Sequence, residues 1–183
     1  VGLNAVVGRP LEEYGMEPSS FEQLRKGVYD VHARIDDMNV NGIAASLNFG
    51  TCVGFDGGRF HKAADKNKAR IHMRAYNDWA AEFNAVAPNR LVVLALLPSH
   101  DPEAARVELA RCASIGHRGA VLSVFDAPIP PFEDEWEQFW ATANEIARVI
   151  AGQSIPRNMI HVESYAAGAG APVQLSFMRK VAI

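Results

Sequence analysis

RAYNDWAAEFNAVAPNRLVVLALLPSHDPEAARVELARCASIGHRG, residues 74–119, decides the fold. Within it, Leu91 to Leu97 is continuously apolar, as expected of a strand covered on both faces. Upstream, His72, Tyr76, Trp79, Phe83 and Val86 follow at steps of 4, 3, 4 and 3. That spacing predicts one packed stripe on a helix from about Asp65 to Val86. Downstream, Asp101 and Pro102 open a second helix. The aspartate accepts from free backbone N–H groups, and proline has no donor to lose in the first turn. Gly116 closes that helix, and Ala120 to Phe125 reads as the next strand. Helices and strands in this alternation form right-handed crossovers and a parallel sheet. Parallel sheets bind ligands beyond the carboxyl ends of their strands, and Ser99, His100 and Asp101 stand where the middle strand ends.

The same alternation extends outward. Val31, Ile35 and Met38 have helical spacing, which Asn41 and Gly42 end as a C-cap pair. Ile43 to Phe49 is short, apolar and bounded by glycines, which predicts a buried strand. Gly50 to Ala64 is a long loop with Gly50, Gly54, Gly57 and Gly58, and loops of that length in compact domains often carry function. Beyond the prolines at 128–131, Asp134 is expected to cap a helix with Trp136, Phe139, Trp140, Ala143 and Ile146 on one face. Asn158 to Val162 is a candidate further strand. The expected fold is α/β, about four parallel strands alternating with helices in a partial (β/α) barrel. An arm spans 1–30, the barrel domain 31–165 and a Gly/Ala-rich tail 166–183. A complete eight-stranded barrel takes roughly 200–250 residues, so a chain of 183 residues supplies about half of one.

Composition excludes several classes. The chain is 49% hydrophobic and 21% charged, with a formal net charge of -3. No basic stripe with interleaved aromatics suggests nucleic acid, and no apolar run reaches the roughly 20 residues of a membrane span. The cysteines, Cys52 and Cys112, lack CxxC spacing and are expected to be reduced thiols. No signal-peptide pattern is present, so the expected location is cytoplasmic.

Chemistry is expected on the strand-end face, which collects Asn48 to Cys52, Pro98 to Asp101, Asp126, and His161 with Glu163 and Ser164. His161 lies in the apolar run Met159 to Val162. It reads either as a metal ligand on a rigid strand or as a core histidine with one nitrogen satisfied. His100 reads either as a proton shuttle or carboxylate-binding group, or as a surface loop residue beside a plain N-cap at Asp101. His72 is expected to be structural, and His61 and His117 look like loop residues. Ser46, Ser99, Ser123 and Ser164 lack a nucleophile elbow. The acidic run at 133–137 suits a solvated helix start.

The segments DVHARIDDMNVNGIAASLNFG, RAYNDWAAEF, NRLVVLALLP and DPEAARVELARCASIGHRGAVLS, in this order, resemble the amidohydrolase-related metal-dependent enzymes. That branch includes aminocarboxymuconate-semialdehyde and resorcylate-type decarboxylases and related hydrolases. The likeness covers roughly residues 27–146. It implies a (β/α) barrel holding one divalent metal, usually zinc, which polarises a carbonyl or carboxylate and activates bound water. It implies a small carboxylated aromatic or ring-cleavage product as substrate. His161 fits the family's strand 5 ligand, with His100 as a catalytic group and Asn48 and Phe55 shaping the substrate pocket. The family's strand 1 histidines and its last three strands have no counterpart here, and Ala147 to Arg157 departs from its pattern.

The expectation is therefore a truncated, metal-dependent hydrolase or decarboxylase. The alternative is a non-catalytic α/β module that self-associates through open sheet edges, and a homo-oligomer is expected on either reading. A catalytic zinc needs about three protein ligands, and one histidine cannot supply them. The purified chain should bind divalent metal weakly or not at all unless a second chain completes the site. Elemental analysis checks this, and stoichiometric zinc with turnover would refute it.

Overall fold

The computed structural model describes residues 20–50, 53–54, 57–123 and 127–151, with Pro10 and Glu12, and side chains as far as 146. The expected strand at 158–162, the tail at 166–183 and most of the arm lie outside the described residues.

Helix α1 spans Val31–Val40. The Asp30 carboxylate caps it by accepting from the Ala33 N–H at 2.9 Å. Asn41 ends it, and Gly42 takes φ 66°, the left-handed geometry of a C-cap. Strand β1 is Ser46–Asn48, followed by the one-turn helix α2, Gly58–His61, and the long helix α3, Lys66–Val86. Strands β2 (Leu91–Val93) and β3 (Ala95–Leu96), helix α4 (Pro102–Ser114), strand β4 (Ala120–Val121) and helix α5 (Glu137–Ala151) complete the described order. The Asp101 side chain caps α4 through the Ala104 N–H at 2.9 Å, with Pro102 in the first turn, as the sequence indicates.

Strands β2 and β3 are two halves of one apolar run. β2 pairs in parallel with β1, placing Leu47 opposite Val92, and β3 pairs in parallel with β4, placing Leu96 opposite Val121. The change of partner falls at consecutive residues. The Leu94 N–H donates to the Asn48 carbonyl, and the Ala95 N–H donates to the Gly119 carbonyl, each at 3.0 Å. Side chains alternate as a strand requires. Ala95 and Leu97 join Ala105, Leu109, Trp136 and Phe139 in one apolar cluster. Leu94 and Leu96 join Met73 and Val121 in another, flanked by Phe49, Phe60 and Tyr76. The Trp136 and Trp140 indoles donate to the Ile129 and Pro131 carbonyls at 3.0 and 2.7 Å, tying α5 to the proline-rich turn.

Three expectations need correction. The buried stripe of α3 is not His72, Tyr76, Trp79, Phe83 and Val86. It is Ala69, Met73, Asn77, Ala80 and Asn84, while Trp79 is 51% exposed. From position 72/73 onward, four of the true core positions lie one residue past an expected one, a rotation of about 100°. Two asparagines decide this. Asn77 Nδ2 donates to the Leu96 carbonyl at 2.9 Å and its Oδ1 accepts from the Leu96 N–H at 2.8 Å. Asn84 makes the same pair of bonds with Val93, at 3.1 and 2.7 Å. Both asparagines therefore belong inside. The second correction concerns β1, which is shorter than expected and only partly covered, with Ile43 and Leu47 each 44% exposed. Third, Asp134 does not cap a helix: it lies in a 3-10 turn, Asp134–Trp136, that precedes α5.

Asn77→Ala removes both bonds to Leu96 and leaves buried strand groups without partners, so it should cost about 2–4 kcal/mol of unfolding free energy. Trp79→Ala should cost a fraction of that. Urea denaturation of the two variants ranks them, and the reverse order would contradict the clamp.

Candidate functional site

The carboxyl ends of β1, β3 and β4 lie on one side of the parallel unit. The central strand ends in Pro98, Ser99, His100 and Asp101, and Ser99 is fully buried. Its Oγ donates to the Leu97 carbonyl at 3.3 Å and accepts from the Ser123 N–H at 2.9 Å. That hydroxyl joins two strand ends and is no free nucleophile. Asp101 is an N-cap, and it also pairs with Arg70 at 3.3 Å.

His100 lies in the turn after the central strand and is partly exposed, but its ring points inward. Both its ring nitrogens are buried and have no hydrogen-bond partner. Its ring meets that of His61 edge-on, with centroids 6.3 Å apart. Burial, then the nearby charges of Arg70, His61 and Lys66, push the His100 imidazole below its ordinary value, with Asp101 opposing. His61 was expected in a loop, yet it is buried at the end of α2. The Lys66 ammonium donates to the His61 carbonyl. Gly57 makes this approach possible. It starts α2 at φ 79°, a left-handed conformation that residues with a Cβ rarely adopt, close beside Leu96 and His61. The sequence signal for His61 is the Gly57-Gly58 pair one turn before it.

His117 lies in the loop between α4 and β4, as expected, but is buried there, with Nε2 2.8 Å from the Asn77 carbonyl. His72 is exposed, its Nδ1 2.8 Å from the Lys68 carbonyl. Asn48 stands at the end of β1. Its Nδ2 donates to the Ser46 carbonyl at 3.1 Å, and its Oδ1 accepts from the Ser46 hydroxyl at 3.0 Å. Tyr76 points toward the same end, since a Cβ on Gly50 would lie 3.5 Å from its hydroxyl; burial pushes its pKa up to about 12. Phe55 and His161 lie outside the described residues. Among the described residues no cluster of three or more His, Cys, Asp or Glu could hold a metal ion, and no helix is long and apolar enough to cross a membrane.

A polar network backs this face. Glu108 Oε1 accepts from Asn77 Nδ2 at 2.8 Å and from Arg111 Nη2 at 2.6 Å. Arg111 Nη1 donates to Asp78 Oδ1 at 2.5 Å. Burial alone would raise Glu108, but Arg111 and Asn77 outweigh it and hold the carboxylate below its ordinary value. The Cys112 thiol is pushed up, chiefly by burial, and is an inert core group.

These features define a class: a parallel α/β unit with polar side chains gathered where its strands end. The comparisons with known proteins are more specific. A gamma-resorcylate decarboxylase of Rhizobium sp. is 35% identical over 89 residues, 45% of this chain and 27% of that enzyme. One from Polaromonas sp. is 28% identical over 148 residues, 74% of this chain and 43% of that enzyme. Two solved structures share the fold. A 2,6-dihydroxybenzoate decarboxylase from Rhizobium has a TM-score of 0.51 at 28% identity, covering 62% of this chain and 36% of that one. A dihydroxybenzoic acid decarboxylase from Polaromonas sp., with bound manganese and the inhibitor 2-nitroresorcinol, has a TM-score of 0.52 at 26% identity. It covers 79% of this chain and 41% of that one. No family model matches. The chain is thus similar to these decarboxylases over part of their length, in line with its likeness to the amidohydrolase-related enzymes. It spans less than half the length of the relatives it matches.

The lowered His100 value fixes a pH effect. Folded His100 keeps its neutral form to lower pH than the unfolded chain, which takes up a proton near pH 6.5. Below that pH the unfolded state binds more protons, so stability falls as pH falls and is unaffected by this group above it. Thermal melts between pH 7.5 and 5.5 should show a falling Tm, and His100→Gln should flatten the trend. An unchanged slope in the variant would count against a neutral, buried His100.

Proposed function

We propose that this protein is a cytoplasmic, metal-dependent decarboxylase of small carboxylated aromatics of the dihydroxybenzoate kind. We infer that it works as a homo-oligomer and contributes part of a (β/α) barrel with about four parallel strands. The observation that carries the reading is the sequence identity to gamma-resorcylate decarboxylases, joined to a fold likeness that covers most of the described chain. The decarboxylases described above favour that reaction over hydrolysis, the other reaction expected from the sequence.

Decarboxylation replaces a ring-bound carboxylate with a proton. On this reading the chain's own groups hold the acid and move that proton. His100 is the shuttle, its buried ring nitrogens having no competing partner. Asn48 and Phe55 border the substrate. Zinc is the expected metal, and manganese, found in a relative, is of the same divalent class. The described residues do not fit a metal by themselves, so no step is assigned through it. His161 would be one ligand, and the remaining ligands would come from elsewhere.

One observation favours the second reading, a self-associating module without catalysis: β1 presents a half-exposed face at the sheet edge, with Ile43 and Leu47 uncovered. The experiment supplies the purified chain with excess manganese or zinc and 2,6-dihydroxybenzoate, and follows resorcinol by chromatography. Slow release of resorcinol that needs the excess metal, and is lost on dialysis or with a chelator, is the expected result, since the chain holds metal only weakly. A metal-free dimer with no product at saturating metal would overturn the decarboxylase reading in favour of the module.

A further inference from the structure

We propose that His61 and His100, bordered by Lys66 and Arg70, form a subsite for a carboxylate, taking the acidic group of a small aromatic acid. The choice of an aromatic acid rests on the decarboxylase reading; the subsite itself rests on geometry.

The geometry begins with His100. Both ring nitrogens are removed from water, and no described residue bonds them. Such groups are seldom left without a partner, and a ligand is one way to supply it. The facing ring is His61, 6.3 Å away between centroids and inclined by 62°. One small group beside these rings can meet both, and two imidazoles can offer one N–H to each oxygen of a carboxylate.

Charge selects the sign of the ligand. Three elements pack around the pair: α2 brings His61, the first turns of α3 bring Lys66 and Arg70, and the start of α4 brings Asp101. Among the described residues, Asp101 is the only carboxylate that acts on His100, and it is already engaged by the Ala104 N–H and by Arg70. Two permanent cations against one carboxylate leave a positive surplus before either imidazole is counted. A monoanion fits that surplus. A metal cation does not, since it would enter a positive field with no third ligand among the described residues. The surroundings also suit an aromatic body. Phe49, Phe60 and Tyr76 pack beside Leu96 in the apolar cluster that the Gly57 turn closes over. A benzoate placed there would put its ring against apolar groups and its carboxylate toward the histidines.

The test is a titration of the full chain, with 15N-labelled histidines, followed by ring 1H–15N spectra. Benzoate is the probe, benzamide its neutral counterpart and acetate the bare carboxylate. Single variants assign the signals. Benzoate should shift the His61 and His100 ring signals and leave exposed His72 unmoved, while benzamide should shift neither. His100→Gln should weaken benzoate at least tenfold, and His72→Gln should not. Should a variant fail to fold, the ring shifts in the unmutated chain decide. Benzoate binding that moves neither ring overturns the subsite and leaves the aromatic-acid reading standing. Acetate moving both rings while benzoate does not bind supports the subsite and overturns the aromatic-acid reading. No response to either carboxylate overturns the subsite.

Discussion

Two asparagine side chains hold the central strand to its covering helix. A carboxamide carries one donor and one acceptor side by side, as a peptide group does, so it can bond the N–H and C=O of a single strand residue. Asn77 does this at Leu96 and Asn84 at Val93. The spacing works because two periodicities coincide. Seven helical residues rise about 10.5 Å, and three strand residues rise about 10 Å. The later asparagine meets the earlier strand residue, so helix and strand run in opposite directions, as a crossover requires. Removing either clamp frees backbone groups in the driest part of the molecule.

This arrangement also explains what could and could not be read from the sequence. The order of elements was legible, because the run at 91–97, the Asp101-Pro102 start and the Asn41-Gly42 stop each have a local cause. The buried face of α3 was not. Hydropathy counts Trp79 as apolar and Asn77 as polar, yet the indole is half in solvent and the carboxamide is wholly buried. Only the strand's hydrogen-bonding demand, a tertiary fact, reverses that ranking. The strand-end face was legible at His100, and at His61 only through the Gly57-Gly58 pair. His61 reaches the face through a turn whose geometry depends on Gly57 taking a positive φ, and no pattern of side chains announces it.

The residues that carry the family likeness most plainly, Tyr76 to Trp79, divide their work. Asn77 serves the clamp, Asp78 steadies Arg111, and Arg111 in turn holds Glu108 against Asn77. Tyr76 alone of the four is directed at the strand ends. The motif is therefore mainly scaffold, with one side chain reaching the face where ligands bind in parallel sheets. Likeness in such a motif speaks first for shared architecture.

The central strand's change of partner at Leu94 and Ala95 has a geometric result. Its first half leans on one neighbour and its second half on the other, so the three strands climb past one another like treads on a stair. Stagger of this kind accompanies the tilt of strands in closed barrels. Here it sets β1 to finish one tread below the end of the central strand. Asn48 finishes opposite Val93, whereas Gly57 and His61 lie further along, beside Leu96 and His100. The wall of the candidate site is in this sense a landing that the slant of the sheet creates.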